Sequence, residues 1–101
     1  MLILSTTYLV EDSAAESWKL WMKSTFLGLL QDSSDDIQRI VFCKVHTDAQ
    51  QDGQTFSMQV QFDNLEMLDQ FSRSIYPACE QAMNRRFAGK FLVFQTVLEE
   101  V

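Results

Sequence analysis

The chain has 101 residues, 47% of them hydrophobic and 22% charged, with a formal net charge of −6. That length fits a single domain over residues 1–101 with a real core, and the apolar share excludes a disordered chain. An acidic chain lacks the basic face that phosphate recognition requires, so no nucleic acid is expected as a partner. No apolar run approaches the roughly 20 residues that span a bilayer, so no membrane is expected either. The N-terminus Met1-Leu2-Ile3-Leu4 turns polar at Ser5 with no preceding basic residue, which argues against a signal peptide. Cys43 and Cys79 have no CxxC spacing and lie among apolar residues, so both are expected as reduced core cysteines of a cytoplasmic protein.

Residues 2–10 are rich in branched and aromatic types and predict a first strand. Ser13 with Glu16 has the capping-box pattern and predicts a helix over 14–30, with Trp18, Trp21, Met22, Thr25 and Leu29 on its apolar stripe. The polar run Gln31–Asp36 predicts a loop. A second strand follows over 38–47, apolar on both faces through Ile40, Phe42, Val41, Cys43 and Val45. Thr47 to Gly53 predicts a connection ending in the hairpin pair Asp52-Gly53. The third strand alternates cleanly, with Phe56, Met58, Val60 and Phe62 on one face and Thr55, Ser57, Gln59 and Gln61 on the other.

Asp63 with Glu66 offers a second capping box, and Leu65, Leu68, Phe71, Ser72, Ile75, Cys79, Ala82 and Met83 continue at helical spacing to Arg86. Pro77 removes one helix hydrogen bond, so a kink or break is expected near Ser74 to Pro77. Gly89 is placed to end the helix before a last strand in which Phe91, Val93 and Val97 oppose Leu92, Phe94 and Leu98.

This strand-helix-strand-strand-helix-strand order predicts an α+β fold, a four-stranded antiparallel sheet with both helices on one face and strands 1 and 3 central. Two helices cover one sheet face, yet strands 2 and 4 are apolar on both. A second copy packing its own sheet face to face about a two-fold axis is the simplest cover, so a homodimer is expected.

The set Trp18-x-x-Trp21-Met22, Gly53-x-Thr55, Pro77 and Arg86-Phe87-x-Gly89-Lys90-Phe91-x-x-Phe94-x-Thr96-x-Leu98-Glu99 resembles a short bacterial family known only as a domain of unknown function. The match runs almost end to end. It implies the ferredoxin-like βαββαβ fold of the dimeric α/β-barrel superfamily, whose subunits join their sheets into a barrel. Phe26-Leu27-Gly28 stands where the family pattern has a histidine-isoleucine-proline segment, so any role of that histidine is missing from this chain.

His46 is the only histidine, near the end of the second strand, and offers a general base or haem ligand of the kind that superfamily monooxygenases imply. At a strand end, a plain surface role is the commoner one. Trp18 and Trp21 offer walls for a planar ligand, although two aromatics three apart on a helix stripe more often belong to the core. Tyr8 with Gln59 and Gln61 supplies polar groups for a barrel interior or, equally, for hydrogen bonds across a dimer interface. Arg86, with Arg85 and Lys90, suits a carboxylate or phosphate; helix-end stabilisation and pairing with Glu99 or Glu100 is the preferred account.

No metal-ligand spacing, nucleophile motif or converging carboxylate pair is present, so no catalytic residue and no cofactor is assigned. The expected function is a cytoplasmic homodimeric module, non-catalytic, that binds a small-molecule ligand or mediates an interaction. The alternative is a cofactor-independent or haem-dependent monooxygenase of the dimeric-barrel type, tested through His46, Tyr8 and Trp21.

Overall fold

The computed structural model describes residues 1–46 and 52–101. Four strands, β1 (Leu2–Val10), β2 (Arg39–Lys44), β3 (Gln54–Phe62) and β4 (Phe91–Glu99), form one antiparallel sheet in the order β2-β3-β1-β4. The expected central pair, β1 and β3, is the observed one. β2 ends at Lys44, short of the expected end at 47, with Val45 and His46 outside the strand; the connection over 47–51 lies outside the described residues. At its near end Gly53 has φ 108°, and a Cβ there would stand 2.6 Å from the carbonyl oxygen of Val10, so glycine is required for both reasons.

Helix α1 spans 12–33 and α2 spans 65–87, each interrupted by one π-turn, at Met22–Phe26 and at Phe71–Ile75. These turns correct the apolar stripes expected from regular helical spacing. On α1 the buried residues are Ala15, Trp18, Met22, Phe26 and Leu30, while Thr25 and Leu29 are exposed. Steps of four drift off the face of a 3.6-residue helix, and the extra residue of the π-turn absorbs the drift. On α2 the buried set jumps five places, from Phe71 to Tyr76, across the second π-turn. The discontinuity expected before Pro77 takes this form rather than a break, because Pro77 sits in the first turn of the last segment, where no N–H is needed.

Neither expected capping box forms. Ser13 donates its hydroxyl to Glu11 at 3.2 Å and α1 begins two residues earlier than expected, at Asp12. At α2 the cap is Asn64, whose side chain accepts from the Met67 N–H at 3.0 Å, while Asp63 accepts from Gln38. Cys43 is likewise not a core residue: it is exposed on β2, whereas Cys79 is buried on α2, and both are free thiols. No helix among the described residues is long and apolar enough to cross a membrane.

Candidate functional site

The strand register divides the sheet residues into two chemically different faces, because paired residues of neighbouring strands point the same way. Leu4, Thr6, Tyr8 and Val10 of β1 and Phe56, Met58, Val60 and Phe62 of β3 face the helices and are buried. On the opposite face two polar rows cross the middle, Val41–Gln59–Ser5–Thr96 and Cys43–Ser57–Thr7–Phe94. Flanking rows add Ile3 and Leu98 at one end and Leu9 and Leu92 at the other. The result is a belt of hydroxyls and amides framed by apolar side chains, with Leu92 60% and Phe94 62% exposed.

Beneath the helices the polar chemistry is buried. The Tyr76 hydroxyl donates to the Glu80 carboxylate at 3.1 Å, one helical turn along α2, and the Tyr8 hydroxyl stands 2.7 Å from that of Tyr76. With the Tyr76 proton committed to Glu80, Tyr8 is the donor to Tyr76, giving a chain Tyr8–Tyr76–Glu80. Burial pushes both phenols well above their ordinary value, and the Glu80 carboxylate adds to the effect, so both remain protonated at neutral pH. Nearby on the same face, Gln95 donates to the buried Thr6 hydroxyl at 3.2 Å.

Trp18 is fully buried, with its ring centroid 5.1 Å from Tyr8, 4.9 Å from Phe56 and 5.8 Å from Phe42. Its indole N–H has no acceptor among the described residues. Trp21 lies apart, half-buried between Phe26 and Phe87.

The structure therefore brings Tyr8 and Trp18 together and separates them from Gln59 and Gln61, which lie on the open face. The expected grouping of Tyr8 with the two glutamines is corrected by strand parity: Tyr8 pairs with Phe56, not with a glutamine row. His46 is exposed just beyond β2, and no hydrogen bond or ring contact joins it to Tyr8 or Trp21 among the described residues. Arg86 lies exposed with its guanidinium 5.8 Å over the Phe87 ring. Lys90 pairs with Glu11 at 3.2 Å rather than with Glu99 or Glu100, a pairing reinforced by the Glu11 N–H donating to the Lys90 carbonyl. This ion pair borders a shallow groove of about 220 Å³ with Leu9, Asp52 and Phe91.

Tyr76, Glu80, Thr6 and Gln95 were not singled out by sequence reasoning. Tyr76 lies three and seven residues before Cys79 and Met83 of the expected stripe and was legible by that spacing, although it falls off the face set by Leu68 and Phe71 until the π-turn intervenes. Thr6 was legible in principle, sharing the strand parity of Leu4 and Tyr8.

Sheet order, helix placement and strand register define a ferredoxin-like α+β domain. The chain belongs to the family described as Domain of unknown function (DUF4286), whose model matches residues 1–101. A comparison with curated proteins gives no match. Among solved structures, an ethyl tert-butyl ether d (EthD) family protein from Bacillus halodurans C-125 is similar with a TM-score of 0.74 at 15% identity, covering 100% of both chains. A candidate antibiotic biosynthesis monooxygenase from Deinococcus radiodurans gives 0.61 at 16%, covering 100% of this chain and 93% of its own. A dimeric protein of unknown function and ferredoxin-like fold from Bacteroides fragilis NCTC 9343 gives 0.58 at 14%, covering 97% and 96%. At these identities the likeness shows the fold alone.

Proposed function

We propose that the protein is a cytoplasmic homodimeric binding module in which two copies face each other across their open sheet faces and hold a small molecule between them. The observation that carries this reading is β4, which turns Leu92, Phe94 and Leu98 outward on the face the helices leave bare. Full burial of three such side chains is worth roughly 5 kcal/mol per copy. Doubled by symmetry, that sum is of the same order as the roughly 4–15 kcal/mol cost of association. Three strands of nine residues and one of six, about 4.8 Å apart, give a footprint on the order of 500 Å² in projection, near the roughly 500 Å² per partner that a biological interface must clear. A Bacteroides fragilis protein of the same fold is described as dimeric, which supports dimerisation.

The test is native mass spectrometry of the wild type and of Phe94→Glu at micromolar concentration. The expected result is a dimer for the first and a monomer for the second; a wild-type monomer contradicts the proposal.

A second reading, a monooxygenase, is favoured by one observation: the protonated Tyr8–Tyr76 pair beside Trp18, a donor chain under the helices of a fold shared with the Deinococcus radiodurans protein. It ranks below the first because Tyr8 is fully buried and His46 lies elsewhere. If it holds, oxygen consumption with a phenolic substrate is abolished by Tyr8→Phe and unaffected by Phe94→Glu.

A further inference from the structure

Covering the open face leaves the outer edge of β4 unexplained. β4 ends the sheet, and among the described residues no strand pairs with its outer side. It runs for nine residues in unbroken register with β1, without a bulge, and contains neither proline nor lysine. Short length, bulges, proline and lysine are the devices by which sheet edges avoid further pairing, and β4 has none of them. The opposite edge is protected: β2 is six residues long and carries Arg39 and Lys44 at its ends.

Exposure on β4 is not confined to the open face. Val97 pairs with the buried Leu4 and so lies on the helix side of the sheet, yet it is 49% exposed. A copy stacked on the open face covers Leu92, Phe94 and Leu98 and does not reach Val97. A strand added alongside β4 reaches both sides at once, because its residues alternate between the two faces.

The sequence of β4 fits a second copy of itself. Antiparallel pairing about a two-fold axis at Gln95 sets Leu92 opposite the partner's Leu98 on the open face, and Val93 opposite the partner's Val97 on the helix face. Just beyond the strand, Lys90 comes opposite the partner's Glu100, which joins opposite charges at each end of the seam. Moving the axis to Phe94 or Thr96 sets a valine against Gln95 and parts Lys90 from Glu100. The same operation on β2 sets Arg39 beside the partner's Lys44, a like-charge pair.

We infer that β4 is a self-pairing edge, at which two copies join antiparallel about Gln95 and run their sheets into one of eight strands. This inference rests on the homodimer proposed above and supplies its seam. Eight strands are the number at which a curled sheet encloses an interior that side chains just fill, so joined edges and facing open surfaces belong to one assembly.

Disulfide trapping tests the register. Gln95→Cys and Glu99→Cys are each checked by native mass spectrometry and then oxidised with glutathione disulfide. The seam places the two copies of position 95 opposite each other, and the two copies of position 99 eight residues apart, about 27 Å, far beyond the span of a disulfide. The expected result is a 95–95 bridge that forms at least tenfold faster than any 99–99 bridge. A dimer in which the two rates are equal, or in which position 95 bridges to Cys43 instead, overturns the seam and leaves the dimer standing. Hydrogen exchange on the wild type needs no substitution: the β4 backbone amides that point away from β1 should slow at least tenfold between dilute monomer and dimer. Unchanged exchange of those amides in a dimer also overturns the seam. A wild type that stays monomeric at every concentration overturns the dimer reading and this inference together.

Discussion

The two faces of the same sheet are built on opposite plans. Under the helices, polar groups are few and, apart from the Trp18 indole N–H, tied down: Tyr8 to Tyr76, Tyr76 to Glu80, Thr6 to Gln95. On the open face, polar groups gather at the centre without hydrogen-bond partners among the described residues, while large apolar groups stand at the edges. A single chain completes the first plan and leaves the second unfinished. A core can specify its own packing, whereas a face with apolar rims and an unpaired polar centre specifies what must come to it.

The largest effect is expected under the helices. Trp18→Ala removes a side chain packed against Tyr8, Phe42 and Phe56 and should cost about 3–5 kcal/mol in denaturant unfolding. On the open face, Phe94→Glu should leave secondary structure intact by circular dichroism and weaken dimerisation about 100-fold, roughly 2.7 kcal/mol, in sedimentation equilibrium. If instead Phe94→Glu unfolds the chain, the two faces are not separable and the contrast drawn here fails.

A smaller effect sharpens the buried plan. Tyr76→Phe leaves the Tyr8 hydroxyl and the Glu80 carboxylate without their shared partner, for an expected loss of about 1–2 kcal/mol. The pH dependence has a definite sign. Both phenols titrate above the ordinary value of 10.0 when folded, so above that pH the unfolded chain loses protons that the folded one keeps. Stability from this pair is full below about pH 10 and falls as pH rises further. Denaturant midpoints at pH 9 and pH 11 should diverge for the wild type, and diverge less for Tyr76→Phe. Equal loss in both proteins would place the alkaline transition elsewhere.

The smallest effect compares the thiols. Cys43 lies exposed on the open face and Cys79 is buried, with burial pushing its thiol pKa up. Cys43 should react first with a disulfide reagent, and, if the wild type dimerises as proposed, faster in Phe94→Glu than in the wild type. A Cys43 rate indifferent to that substitution would mean that the covering copy does not reach β2.

The strand chemistry was largely legible in the sequence. The alternation of Phe56, Met58, Val60 and Phe62 places β3 directly, and the double apolar character of residues 91–98 already marks the uncovered face. The helices were less legible because their register depends on two π-turns, which insert a residue without any distinctive composition. That is why Thr25 and Leu29 were expected inside. The caps failed for a local reason, since the helices begin at Asp12 and Leu65, which puts Glu11 and Asn64 rather than Ser13 and Asp63 at the cap positions. Tyr8 was found but assigned the wrong companions, because β1 mixes polar and apolar residues at both parities and its facing is set only by the pairing with β3.

The central claim is that a second copy, and no other surface, covers the open face. The most direct measurement is a dilution series followed by methyl and aromatic NMR shifts. The account predicts concentration-dependent shifts at Val41, Leu92, Phe94 and Leu98, and none at Leu20, Leu29 and Leu65, which are equally exposed on the helices. Shifts that move only on the helices, or nowhere across the concentration range, would contradict it.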